Sequence, residues 1–260
     1  MIPKLIHYCW FGGNPLPKLA EKCIKSWKKY CPDYQIIRWD ESNYDISSAP
    51  LFVLQAYEAK KWAFVTDYVR LQVVYENGGI YLDTDVELVK PLDCFLNHSA
   101  YFGFENAKYI NTGLGFGAEK GNAVLLEMME DYCHIPFVLE DGSFDMTSCP
   151  VRNTAVLVRH GLVQNGEKQE IGNDCLIYPT EVFCPISYYN GKLKKTKNTV
   201  SIHWFTASWK SEQYLKQREK MRKENRRAEQ REYWRYLPNR IIRKICGNEF
   251  VDKLKQKLKR

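Results

Sequence analysis

The stretch that decides the reading is Ala63-Phe-Val-Thr-Asp-Tyr-Val-Arg-Leu-Gln-Val-Val-Tyr-Glu-Asn-Gly-Gly-Ile-Tyr-Leu-Asp-Thr-Asp-Val86. Its first half repeats Val65, Val69 and Val73 at every fourth residue, the spacing of one helix face. Asn77-Gly78-Gly79 then supplies residues that tolerate left-handed backbone and so ends the helix. Ile80 to Leu82 is short and apolar, reads as a strand, and runs directly into Asp83-Thr84-Asp85. A helix feeding a strand whose end carries carboxylates fits an open α/β sheet, where ligands bind beyond the strand ends.

Outward from this stretch the alternation continues. Residues 2–11 predict a strand closed by the turn cluster Gly12-Gly13-Asn14-Pro15, and residues 17–30 a helix carrying Leu19, Cys23, Ile24 and Trp27. Tyr34 to Trp39 predict a second strand, closed by Asp40. On the other side, Val86 to Val89 stay extended until Pro91, further strands are expected at 100–104 and 110–117, and residues 121–133 form a helix. Between 140 and 200 the pattern is faint: 174–183 and 199–205 read as extended and 192–197 as an exposed loop. Ser211 to Trp234 alternate charges of both signs at helical spacing, and a second amphipathic piece spans Arg240 to Leu258. The expected organisation is a catalytic domain at 1–209 and a basic helical extension at 210–260.

Composition narrows the function classes. At 260 residues, 45% hydrophobic and 27% charged, the chain is an ordinary globular one that buries a single good-sized core. No apolar run is long enough for a transmembrane helix. The first residues read as a strand rather than a secretory signal, and nine scattered cysteines without a C-x-x-C pair argue for reduced thiols and against a zinc cage. A cytoplasmic setting is the expectation. The net charge of +7 is uneven: residues 210–260 carry 18 Lys+Arg and 7 Asp+Glu, which leaves residues 1–209 net acidic. The basicity therefore describes what the tail rests on, with an anionic membrane surface expected for 234–260 and a solvated helix for 211–233. A non-catalytic nucleic-acid-binding protein is the rival from another class. It would spread basic residues over a folded surface or show a known module, and neither is present, so no nucleic acid is expected.

The chemistry centres on Asp83 and Asp85. Side chains one residue apart along a strand end point to the same side, and hard cations such as Mn²⁺ and Mg²⁺ take such carboxylates together with phosphates and water. A bare pair of this kind equally describes two solvated loop aspartates. Its place at the end of an apolar strand favours the metal. A metal-dependent phosphohydrolase fits the carboxylates but gives Trp10 and Arg70 no role. Asp67 and Arg70, three apart, project from one helix face, where they could hold sugar or ribose oxygens or form an ordinary salt bridge. The Asn111 amide could bond sugar hydroxyls, or simply serve a glycine-rich turn at Gly113, Gly115 and Gly117. His203, in His203-Trp-Phe-Thr-Ala-Ser-Trp209, suits a metal or a core position equally as a residue type. His7 reads as structural.

The 63–86 run, with Ile2-Pro-Lys-Leu-Ile-His-Tyr-Cys-Trp-Phe-Gly-Gly13, closely resembles the D-x-D-containing sugar transferases of glycosyltransferase family 32. The N-terminal segment looks like their bacterial capsule and surface-polysaccharide branch. The resemblance spans residues 1–120 and returns near 200–209. It implies a GT-A fold, a Rossmann-like α/β domain with a mixed central sheet, and retention of anomeric configuration. It implies that Asp83 and Asp85 hold Mn²⁺ or Mg²⁺ with the donor diphosphate, with His203 as third ligand. Asp67, Arg70 and Tyr81 would then lie at the donor, Trp10 at the base with Gly12 allowing close backbone approach, and Trp209 as a lid. Asn111 would face the acceptor side of the sugar. The resulting expectation is a metal-dependent hexosyltransferase that takes a nucleotide-sugar donor. A UDP-sugar is preferred over GDP-mannose, and the acceptor is a saccharide or lipid-linked saccharide.

Overall fold

Order along the chain is β1 (Leu5–Cys9), α1 (Lys18–Tyr30), β2 (Gln35–Trp39), α2 (Leu51–Glu58), α3 (Trp62–Asn77), β3 (Gly79–Tyr81) and β4 (Val86–Leu88). There follow β5 (Ala100–Gly103), β6 (Phe116–Ala118), α4 (Ala123–Cys133), α5 (Cys149–Arg159) and β7 (Gln169–Ile171). The last elements are β8 (Cys175–Tyr178), α6 (Thr180–Phe183), β9 (Ser201–His203) and α7 (Glu212–Cys246). The computed structural model describes residues 1–172, 174–206 and 212–246, with side chains through 235.

Seven strands form a mixed sheet in the order β2-β1-β3-β6-β5-β8-β7. β1 runs parallel to β2 and β3, β6 runs antiparallel to β3 and β5, and β5 is parallel to β8. Hence β1, β2, β3, β5 and β8 all end at one edge of the sheet, and β6 begins there. Both faces are covered. Helices α2 to α5 supply one apolar layer with Phe52, Val69, Met128 and Leu157, and α1 supplies the other with Cys23 and Trp27. β3 is buried on both sides, Tyr81 facing the first layer and Ile80 the second, as expected for a central strand. The α/β class read from the sequence is the one observed.

Helix α3 lies under the sheet and is buried around most of its girth, so its apolar residues are not confined to one stripe. Its end is set by two glycines. Gly78 has φ +69° and Gly79 φ +109°, and a Cβ on Gly79 would meet His7 Nε2 at 2.9 Å. Only glycine adopts this backbone in this space, and β3 can therefore start at once.

β4 and β9 form a separate antiparallel ribbon in which Val86 pairs with His203. Several expectations are corrected here. Residues 174–183 are strand only as far as Tyr178, after which Pro179 opens the short helix α6. Residues 110–117 contain a tight turn at Thr112–Leu114 before β6. Helices α2 and α5 were not anticipated, and α7 is continuous through Pro238 where two pieces were expected. A proline removes one helical hydrogen bond and kinks the helix without obliging it to end.

The chain divides into two compact units, residues 1–186 with 193–209, and residues 187–192 with 210–260. Within the second, the 187–192 turn is strapped to α7 through backbone carbonyls. Arg222 donates to the Tyr188 carbonyl, Asn225 to that of Tyr189 and Arg226 to that of Asn190, while Glu229 accepts from Asn190 and Lys192. No helix among the described residues is long and apolar enough to cross a membrane.

Candidate active site

The strand-end edge collects the charged residues. Asp83 follows β3, Asp85 precedes β4, and the β4–β9 register places His203 beside them, so that one ligand atom from each falls within 4.8 Å of the others. His203 Nε2 lies 3.0 Å from Asp85 Oδ1. The other Asp85 oxygen accepts from the Thr206 backbone N–H at 2.9 Å and the Thr206 hydroxyl at 2.8 Å. Burial by itself would raise the Asp85 pKa. The His203 charge and the hydrogen bonds from His203 and Thr206 outweigh it and hold Asp85 below the usual carboxylate range. Burial likewise opposes a charged His203, but Asp85 wins and raises the imidazole.

Asp83 behaves differently. Burial pushes its carboxyl up, against the pull of the Arg70 guanidinium. Tyr81 donates its hydroxyl to Asp83 Oδ1 at 3.0 Å, and Arg70 Nη2 stands 3.4 Å from the same oxygen. The side chain is still 26% exposed, so solvent reaches it. Arg70 is 4% exposed and packs 5.0 Å over the Tyr81 ring. Its Nη2 lies 3.2 Å from Asp67 Oδ1 and its Nε donates to the Thr66 carbonyl at 2.9 Å. Burial alone would lower the Arg70 pKa; Asp83, Tyr81 and Asp67 reverse that and raise it. Burial raises the Asp67 carboxyl, with the Arg70 charge and the Cys149 thiol opposing. The Asp67–Arg70 pair is thus buried and linked through Arg70 to Asp83, which overturns the surface salt-bridge alternative.

Other expected residues take more particular places. The Asn111 Nδ2 donates to Glu105 Oε2 at 2.6 Å and its Oδ1 accepts from the Gly113 N–H at 2.6 Å, capping the Thr112–Leu114 turn. Trp10 follows β1 on the same edge, half-buried on the α1 side, with its indole N–H donating to the Asn14 carbonyl at 2.6 Å. Gly12, at φ +90°, faces Trp62: a Cβ there would meet the indole at 2.7 Å. A protein ring therefore accounts for the missing side chain at Gly12. His7 is buried and structural, accepting from Trp39 Nε1 and bonding the Gly78 carbonyl. Trp209 lies outside the described residues, as do the side chains expected at a membrane beyond 235.

Three residues were missed. Thr206 grips Asp85, Gly113 is wedged between Asp83, Asn111 and Arg70, and Glu105 holds Asn111. Only Gly113 left a trace, in the glycine-rich turn.

The donor set fits a hard divalent cation: two carboxylates and an imidazole, with His203 Nδ1 buried and unpartnered among the described residues.

Comparison with known proteins agrees with this chemistry. Residues 17–102, which hold Asp67, Arg70, Tyr81, Asp83 and Asp85, match the model of the glycosyltransferase sugar-binding region containing DXD motif. The chain is 31% identical over 140 residues to inositol phosphoceramide mannosyltransferase 3 of Schizosaccharomyces pombe, covering 52% of this chain and 38% of that protein. It is 29% identical over 121 residues to an uncharacterized glycosyltransferase of Acanthamoeba polyphaga mimivirus, covering 43% and 47%. The chain thus spans less than half the length of either relative. Among solved structures, the PaToxG glycosyltransferase matches with TM-score 0.46 and 19% identity over 61% of this chain and 68% of that one. A glycosyltransferase involved in glycosylation of the major capsid of PBCV-1 matches with TM-score 0.44 and 13% identity over 84% and 99%. The named relatives are fungal and viral, not of the bacterial capsule branch.

Proposed function

We propose that the chain transfers a sugar from a nucleotide-sugar to an acceptor hydroxyl, using a divalent cation held by Asp83, Asp85 and His203. The observation that carries this is the convergence of those three ligand atoms beside the buried guanidinium of Arg70. Bound Mn²⁺ or Mg²⁺ neutralises the charge that builds on a departing diphosphate. The chain's own residues do the holding. Tyr81 and Arg70 fix Asp83, Thr206 fixes Asp85, and Arg70 adds positive charge where phosphate or sugar oxygens would sit.

In this reading residues 1–209 are a GT-A catalytic domain and the transfer retains anomeric configuration. Trp10 lies toward the base, with Asp67 and Asn111 at the sugar and Trp209 as lid. The names of the fission-yeast relatives favour a mannosyl group, so GDP-mannose stands beside the UDP-sugars as donor. A saccharide or lipid-linked acceptor suits the basic tail, whose residues 234–260 would bring the enzyme to an anionic surface.

The test is donor hydrolysis across GDP-mannose and a panel of UDP-sugars, with Mn²⁺ and then with EDTA. Metal-dependent release from one donor, lost in Asp85→Ala, supports the reading. Absence of metal-dependent UDP or GDP binding by calorimetry sinks it.

A further inference from the structure

Four consecutive residues, His203 to Thr206, close around Asp85. His203 Nε2 lies 3.0 Å from its Oδ1, the Trp204 backbone N–H donates to its carbonyl at 3.0 Å, and Thr206 donates twice to Oδ2. Phe205 is engaged elsewhere. Its ring packs edge-on against the His203 imidazole, with centroids 4.2 Å apart and planes at 62°. Its backbone sits in the left-handed region at φ +51°. A phenylalanine adopts that conformation only where its surroundings impose it, and strain of this kind collects at ligand clamps. The left-handed step turns the chain, so that Trp204 and Thr206 on either side of it both reach Asp85.

The imidazole needs a restraint on its far side. A histidine that ligates a metal through one nitrogen ordinarily bonds the other to a carboxylate or a carbonyl, which fixes the plane of the ring. Nε2 of His203 faces Asp85, but Nδ1 is buried and has no hydrogen-bond partner among the described residues. What stands against the ring instead is Phe205. An edge-to-face contact is directional, because the face of an aromatic ring is electron-rich and its edge electron-poor. It therefore holds the imidazole at one angle, as a hydrogen bond to Nδ1 would.

We propose that Phe205 is the positioning residue for His203: its ring, presented by the left-handed backbone, sets the imidazole toward Asp83 and Asp85. This rests on the metal-site reading above, in which those three residues hold the cation. In this role Phe205 touches neither cation nor sugar and acts only through His203. Thr206 anchors one ligand of the cluster by hydrogen bonds, and Phe205 anchors another by packing.

Calorimetry of Mn²⁺ with UDP or GDP on the full chain tests this in Phe205→Ala and Phe205→Gly. Both delete the ring, but only glycine is at ease at φ +51°, so agreement between the two separates the ring from the backbone. Each should weaken metal-dependent nucleotide binding by about 10-fold, within the range for the lost partner of a metal ligand. In a His203→Ala background neither should cost anything further, because the ring acts through the imidazole. Unchanged affinity in Phe205→Gly, or the same loss again in the His203→Ala background, would overturn the assignment while leaving the metal site intact. An unmodified chain that binds no nucleotide with Mn²⁺ overturns the metal-site reading and this inference with it. A His203→Ala variant that binds as well as the unmodified chain removes His203 from that site, and the role of Phe205 falls too.

Discussion

His203 Nε2 stands 3.0 Å from Asp85 Oδ1, and the register of the β4–β9 ribbon is what brings the two together. Asp85 is further anchored by two hydrogen bonds from Thr206, so the carboxylate is oriented before any cation arrives.

Removing these groups should therefore weaken metal-dependent nucleotide binding in a graded way. Thr206→Val deletes one outer hydrogen bond and should cost about 10-fold, the lower end of the range for such partners. His203→Ala deletes a proposed ligand and should cost more. Calorimetry with Mn²⁺ and UDP or GDP reads both, and an equal affinity in His203→Ala would remove it from the metal site.

Gly113 packs against Asp83 Oδ2, Asn111 Oδ1 and Arg70 Nη1 with no room for a methyl group. Gly113→Ala should displace the Asp83 carboxylate, costing about 1–3 kcal/mol of packing around it. Sugar release should drop by about 5- to 150-fold, since about 1.4 kcal/mol is a decade in rate. The expected measurement is a kinetic comparison at saturating Mn²⁺, where wild-type rates would count against the wedge.

Arg70 is the counter-charge of buried Asp67 and of partly buried Asp83. Arg70→Leu fills similar space but leaves both uncompensated, and the loss should be about 3–5 kcal/mol in urea unfolding. Arg70→Lys keeps a charge but cannot reach Thr66, Asp67 and Asp83 together. It should fall between the two.

His7 gives the fold a pH dependence. Burial lowers its pKa, and its two ring nitrogens are committed to Trp39 and Gly78, which requires the neutral form. The unfolded chain takes up a proton near pH 6.5, so unfolding binds a proton below that pH. Stability should fall as pH drops from about 6.5 toward the folded value, by at most about 1.4 kcal/mol per pH unit. Denaturant titrations at pH 7.5 and 5.5 should show this slope, and His7→Gln should flatten it.

Much of the frame was legible because it is local. The α3–β3 junction announces itself through valine spacing and Gly78-Gly79, and β1, α1, β2 and α4 follow from apolar periodicity and turn residues. Helix α5 was hidden because it turns buried Asn153 and Thr154 inward among its apolar residues, which blurs the periodic signal. Four-residue α6 is too short to carry a period and shares the apolar look of the strand before it.

The sequence by itself determined which residues could bind: a carboxylate pair at the end of an apolar strand, and an Asp and Arg one helical turn apart. Side-chain direction along a strand or helix is a local property, so spacing suffices. Only the tertiary structure decided which distant groups complete them. Strand register set His203 and Thr206 on Asp85, and the β3-β6 pairing set Gly113 beside Asp83. Such pairings depend on which strands become neighbours and in what register, and no short window of residues encodes that.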